Sequence, residues 1–160
     1  MGRLELRIPP TIVAIIVGVG MRILTRPGPA VDVPLAWRSA LFAAFVLAGV
    51  AAAYAGGVAF RHARTTVSPL KPQDASTLVT GGIYRFTRNP MYVGMAGLLV
   101  ANALRRGSWP AVLPIAAFVA VIDRFQIAAE ERALAERFGP DYATYRSAVP
   151  RWVGVRSFSR

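Results

Sequence analysis

The chain has 160 residues, 54% of them hydrophobic, with no Cys to form disulfides, zinc thiolates or a thiol nucleophile. Its mean hydropathy is +0.43, and the apolar residues come in long blocks rather than periodic stripes, which points to one domain in a membrane solvent. Nineteen Lys and Arg against eight Asp and Glu give a net charge of +11, but they flank apolar blocks instead of lining a basic helix or an aromatic-studded sheet, which excludes nucleic acid as the partner.

Ile8 to Leu24 is the first apolar block. Pro9 and Pro10 suit a helix start, where a missing N–H costs little. A signal peptide is disfavoured, because Arg22 and Arg26 interrupt the region before any small-residue cleavage site. Arg26-Pro27-Gly28-Pro29 reads as a turn. Ser39 to Phe60 is the second span, long enough to cross hydrocarbon. Ala40, Ala44, Ala48, Ala52 and Gly56 recur along it every four residues, a smooth face expected to pack against another helix. The lone His62 follows as an interfacial polar residue, since one His without a carboxylate cluster makes no metal site.

The stretch 61–90 is polar and rich in turn residues. Met91 to Leu104 is a short apolar block, Arg105-Arg106-Gly107-Ser108 a tight link, and Trp109 to Ile122 the last block, with Trp109 as an interfacial anchor. These two are expected to form a hairpin, with spans of about 91–104 and 109–125. With the N-terminus inside, fourteen of the nineteen basic residues fall on the cytoplasmic side. The expected fold is therefore an all-α polytopic transmembrane bundle of about four spans in the inner membrane. Both termini are then cytoplasmic, as is a helical tail over 126–160. Asp123 to Phe138 continues the last helix, and Gly139-Pro140 ends it. Asp141 is expected to cap a second short helix with Tyr142, Tyr145 and Val149 on one face, lying on the membrane surface with Trp152 as its anchor.

Two polar clusters remain at the cytoplasmic end. One runs from Leu78 to Gly94, the other from Phe125 to Arg132 with Phe138 to Tyr142 behind it. Pro90 disfavours helix at Asn89, so the backbone there is irregular and must be buried in protein or line a cavity. Gln126, Glu130 and Leu134 share a helix face, where Glu130 can accept hydrogen bonds from a ribose or an amino group. The residues alone favour the plainer reading, in which Glu130 and Glu131 belong to a solvated charged helix with Arg124 and Arg132.

The same clusters resemble the isoprenylcysteine carboxyl methyltransferase family and the related phospholipid N-methyltransferases. Leu78-Val79-Thr80 with Gly82 and Tyr84, Arg88-Asn89-Pro90 with Tyr92 and Gly94, the Glu130-Glu131 pair, and Phe138-Gly139 with Tyr142 stand in the family's order. The likeness covers roughly Thr65 to Trp152. It implies an integral-membrane enzyme with S-adenosylmethionine as cofactor. Ser68, Ser76, Thr77, Leu78, Val79, Tyr84, Asn89, Pro90, Met91, Tyr92 and Glu130 then stand at cofactor contacts. Arg88 is placed to orient a carboxylate or support the loop, as a catalytic residue beside Glu130. Gln126 stands at a substrate contact where prenylcysteine enzymes have Arg, so a prenylcysteine carboxylate is disfavoured. Asn89 replaces a His and cannot become a cation. The implied reaction is methyl transfer to a carboxyl or thiol group of a small apolar or lipid-like acceptor. Transfer to a phospholipid amine, and a non-enzymatic scaffold or transporter, are the alternatives.

Overall fold

A computed structural model describes residues 8–24, 33–63, 75–107 and 109–153. The Arg26–Pro29 turn, Ser68 and most of the polar stretch lie outside the described residues, as does the side chain of Trp109. Every regular element among the described residues is helical.

Helix α1 spans Pro10–Leu24 and α2 spans Leu35–His62. After a 3-10 turn over Gly82–Arg85, α3 runs Pro90–Arg106. Another 3-10 turn over Trp109–Ala111 leads into α4, Val112–Val121. A π-helical turn, Ile122–Ile127, joins α4 to α5, Ala128–Ala148, in a rod that is unbroken as far as Phe138. Pro114 falls in the first turn of α4, where its missing N–H breaks no intrahelical bond. Two of these helices are long and apolar enough to cross a membrane: Leu35–His62, and the rod Val112–Ala148.

α2 starts four residues earlier than hydropathy suggests. Pro34 stands at its N-cap, and Arg38 is already helical. Arg38 has a task at that end of the bundle. Its Nε donates to Leu104 O at 3.2 Å and its Nη2 to Arg105 O at 2.9 Å. A cation thus meets the last carbonyls of α3, the end where the helix dipole is negative. Gly107 turns the chain there with φ 60°, and a Cβ on it would overlap the Arg38 guanidinium.

The contact between α2 and α3 corrects the expected alanine row. Ala40, Ala44 and Ala48 are exposed, whereas Gly49 and Gly56 are buried. Residues spaced by four drift about 40° per step around a 3.6-residue helix, so five of them cannot share one narrow seam. Residues seven apart stay nearly in line. A Cβ on Gly49 would stand 2.8 Å from Gly94 O, and one on Gly94 only 2.5 Å from Gly49 O. The two backbones therefore touch directly.

α1 packs across α3 and α4, with Asn102 Nδ2 donating to Gly18 O at 3.2 Å. The core gathers Met21, Tyr92, Leu99, Ala111, Phe118, Ile122 and Ile127. Ile15, Ile16, Leu47 and Leu113 are exposed, each on the outside of its helix. An apolar exterior of this kind is what helices facing lipid present.

Candidate functional site

The end of the bundle opposite Arg38 holds the chemistry-bearing residues. The C-terminal end of α2, the segment 75–89, the start of α3 and most of α5 converge there on one cavity. Asn89, with φ −132° and ψ 54°, stands outside the helix, and Pro90 opens α3 behind it. Proline at that position has no N–H to lose and disfavours helix one residue upstream.

Thr77, Leu78, Val79, Tyr84, Arg88, Asn89, Pro90, Met91, Tyr92 and Glu130 all line this cavity. Two expected residues do not. Ser76 is exposed and off the wall, and Gln126 is buried behind it. Gln126 instead supports Glu130: its Nε2 donates to Glu130 Oε1 at 2.7 Å. Tyr92 Oη donates to the same oxygen at 2.5 Å. Both bonds fall on Oε1, so Oε2 is left as the acceptor available to a ligand.

Glu130 lies beyond the apolar part of its helix, which ends at Ile122. Burial pushes its carboxyl up to about 7, against the opposing pull of the two hydrogen bonds. Burial likewise raises the hydroxyls of Tyr84 and Tyr145, and raises that of Tyr142 to about 12. Tyr145 Oη donates to Tyr84 O at 2.8 Å, and the Tyr84 ring meets Phe60 edge-on at 5.4 Å.

Glu131 is buried, and it does not belong to a solvated helix with Arg124 and Arg132, which are exposed. Its partners come from far along the chain. Arg88 Nη2 lies 2.9 Å from Glu131 Oε1. Arg151 grips the same carboxylate with Nε at 3.0 Å and Nη2 at 2.5 Å, while its Nη1 reaches Asp123 Oδ2 at 2.8 Å. Such two-point grips are the strong form of an ion pair.

Trp152, expected as a membrane anchor, points inward. Its Nε1 donates to Asp123 Oδ1 at 2.8 Å, and its ring packs on the core. Tyr142 and Val149 are buried and Tyr145 lines the cavity, so protein covers the face expected to meet the membrane surface. Gly139, with φ 49°, makes the break in α5 as expected. Pro140 heads the segment after it, so Asp141 falls inside the first turn rather than at the cap.

Residues 150–152 act as a strap across the site. Thr87 Oγ1 and Asn89 Nδ2 donate to Arg151 O at 3.1 and 2.9 Å, and the Arg88 N–H donates to Pro150 O at 3.0 Å. Asp123, Thr87 and Arg151 were not singled out from the sequence, and Glu131 was named only beside Glu130, without its ion pairs. Arg151→Ala is expected to lower stability by about 1–3 kcal/mol, the lower part of the range for a broken buried pair because Arg151 is partly exposed. A thermal melt in detergent with limited proteolysis of the tail checks this. An unchanged melt and an equally resistant tail would show that the strap carries no stability.

The π turn aims these residues. The Ala128 N–H reaches back five residues to Asp123 O, which places one extra residue in the turn before Glu130.

A protein of Haemophilus influenzae described only as uncharacterized is 40% identical over 63 residues, 39% of this chain and all of that protein. No solved structure matches the chain. The sequence model of the phospholipid methyltransferase family matches residues 37–141, from the start of α2 to just past the break in α5. That stretch takes in every described wall of the cavity except its last two tyrosines, and this chain belongs to the phospholipid methyltransferase family.

Proposed function

We propose that this protein transfers a methyl group from S-adenosylmethionine to a carboxyl or thiol group of a small apolar or lipid-like acceptor at the membrane. The observation that carries the reading is Glu130. It is a carboxylate held on one oxygen by Tyr92 and Gln126, with its other oxygen open in a largely apolar cavity.

These residues fit the cofactor. Glu130 would accept hydrogen bonds from ribose hydroxyls or an amino group, while Leu78, Val79 and Met91 would cover apolar surface. Asn89, Pro90 and Tyr92 would hold the mouth of α3 in place. When bound, the cofactor supplies a methyl already activated on a sulfonium. The protein's part is then to align the acceptor and exclude water. A carboxylate or thiolate acceptor needs no general base. Gln126 stands behind the wall and is uncharged, which supports an acceptor other than a prenylcysteine carboxylate.

We place the chain in the inner membrane with four spans, on the basic-residue balance. The cavity and the tail then face the cytoplasm, where the cofactor enters, and the acceptor arrives sideways from lipid.

The family match favours a second reading, methylation of a phospholipid amine. Labelled methyl distinguishes the two: an ester releases it as methanol in alkali, a methyl thioether retains it on a product without a phospholipid headgroup, and an N-methyl lipid retains it on the headgroup amine.

Calorimetric titration of detergent-purified protein with S-adenosylhomocysteine tests the cofactor site. The Glu130 pKa near 7 sets the pH dependence. Donors on the ligand require the anion, so protons compete with binding. Affinity is expected to rise about tenfold from pH 6 to pH 8 and then level off. Absence of binding by folded protein would remove the methyltransferase reading. A flat pH profile would remove Glu130 from the contact.

A further inference from the structure

The cavity has a second polar pole that the reading above does not use. The Arg88 side chain is only 7% exposed. Its Nη2 pairs with Glu131, yet its Nε and Nη1 are buried without a hydrogen-bond partner among the described residues. These are three N–H groups of a permanent cation, taken from water and left without acceptors. Such groups are costly to bury and attract an acceptor with some force.

The unused donors say what kind of acceptor. Glu131 is shared: Arg151 holds both of its oxygens and Asp123 as well. Arg88 and Arg151 thus balance Glu131 and Asp123 in charge, but the donors at Arg88 Nε and Nη1 are left unmatched. On the cavity wall around it stand Tyr142 and Tyr145, whose hydroxyls burial keeps protonated. Glu130, the other carboxylate on the wall, is engaged by Tyr92 and Gln126. An oxyanion, which accepts two parallel N–H bonds, is the ligand that answers a guanidinium with unused donors on Nε and Nη1.

We propose that Arg88 is an oxyanion receptor in the cavity wall, and that it takes the α-carboxylate of the cofactor's amino-acid tail. The proposal rests on the cofactor reading given above. Glu130 and Arg88 then make two unlike poles of one cavity, joined by the apolar side chains of Leu78, Met91 and Leu134. One pole takes hydrogen-bond donors and the other takes an anion. A nucleoside joined to an amino acid through a thioether carries both kinds of group with an apolar link between them. An anionic acceptor, such as a lipid phosphate or a carboxylic acid, is the other possible source of the oxyanion.

The test compares S-adenosylhomocysteine with its decarboxylated analogue, which keeps the nucleoside, the thioether and the amine. Calorimetry on the full chain reads both affinities. The wild-type protein is expected to prefer the carboxylate-bearing ligand at least about 30-fold. In Arg88→Met the preference falls below about threefold, because only the carboxylate-bearing ligand loses affinity. The variant strips Glu131 of a partner, so Arg88→Met with Glu131→Gln is measured beside it, and the wild-type comparison needs no variant at all. A wild type without preference, or a variant that keeps it, overturns the proposal. So does a variant that binds both ligands as wild type does while its KM for an anionic acceptor rises, which assigns Arg88 to the acceptor instead. Wild-type protein that binds neither ligand removes the cofactor reading itself, and this proposal with it.

Discussion

Glu130→Ala is expected to weaken S-adenosylhomocysteine binding at least about 100-fold and to abolish measurable methyl transfer. Two hydrogen bonds to a half-buried carboxylate are worth roughly 3 kcal/mol together, and each 1.4 kcal/mol is a factor of ten. The alanine also strips Tyr92 and Gln126 of their shared acceptor. Glu130→Gln separates binding from folding. Its amide oxygen can still receive Tyr92 and Gln126, but the group facing the cavity becomes a donor. Burial raises the Glu130 pKa from 4.5 to about 7, so the folded state holds a proton that the unfolded chain would release. Its contribution to stability is present below the ordinary glutamate value and is lost as pH rises toward 7. At pH 8 the glutamine variant should accordingly melt no lower than wild type while binding is lost. If it binds normally, Glu130 does not touch the ligand. If it melts far lower, the residue is structural.

The second large effect concerns folding. Gly94→Ala is expected to lower stability by about 3 kcal/mol and the melting midpoint by roughly 6–12 °C. Alanine gains about 1 kcal/mol over glycine in a helix, so the sign depends on the space available. At Gly94 the new methyl would meet Gly49 O at 2.5 Å and Ala53 N at 3.3 Å. Both are backbone atoms of α2, and neither can move without shifting that helix. Gly97, one turn on, is the control. A Cβ there finds its nearest neighbours at 3.7 Å, so Gly97→Ala should leave the protein unchanged or slightly more stable. Thermal melts of both variants in the same detergent decide the matter. Equal midpoints for the two would mean that α2 and α3 do not touch at Gly49 and Gly94.

The helices and the place of the site were legible because their causes are local. Apolar block length marked α1, α2 and the rod that begins at Val112. Pro90 marked the irregular residue before it, and Gly139-Pro140 marked the break in α5. Most residues named around Pro90 and Leu78 do share one cavity. What stayed hidden was set by distant partners or by hydrogen-bond pattern. Glu131 lies 20 residues from Arg151 and its other partner, Arg88, lies still further away, so adjacency to Arg132 suggested the wrong neighbour. The π turn leaves no mark in composition, yet it decides which side of the rod faces the cavity. The row of alanines in α2 misled for a geometric reason, since a period of four does not follow a helix. Trp152 was read by residue type as a lipid anchor, but its indole N–H had an acceptor in Asp123.

A ribosome makes a chain from its N-terminal side, so the strap at Pro150–Trp152 is the last described segment to be joined. Until then Asp123 and Glu131 lack Arg151, and the segment 87–89 lacks the carbonyls to which it donates. The described helices therefore precede, in chain order, the segment that completes the frame of the cavity. A chain stopped after Ala148 therefore carries every described wall residue of the cavity but lacks the strap that ties 87–89 to Asp123 and Glu131.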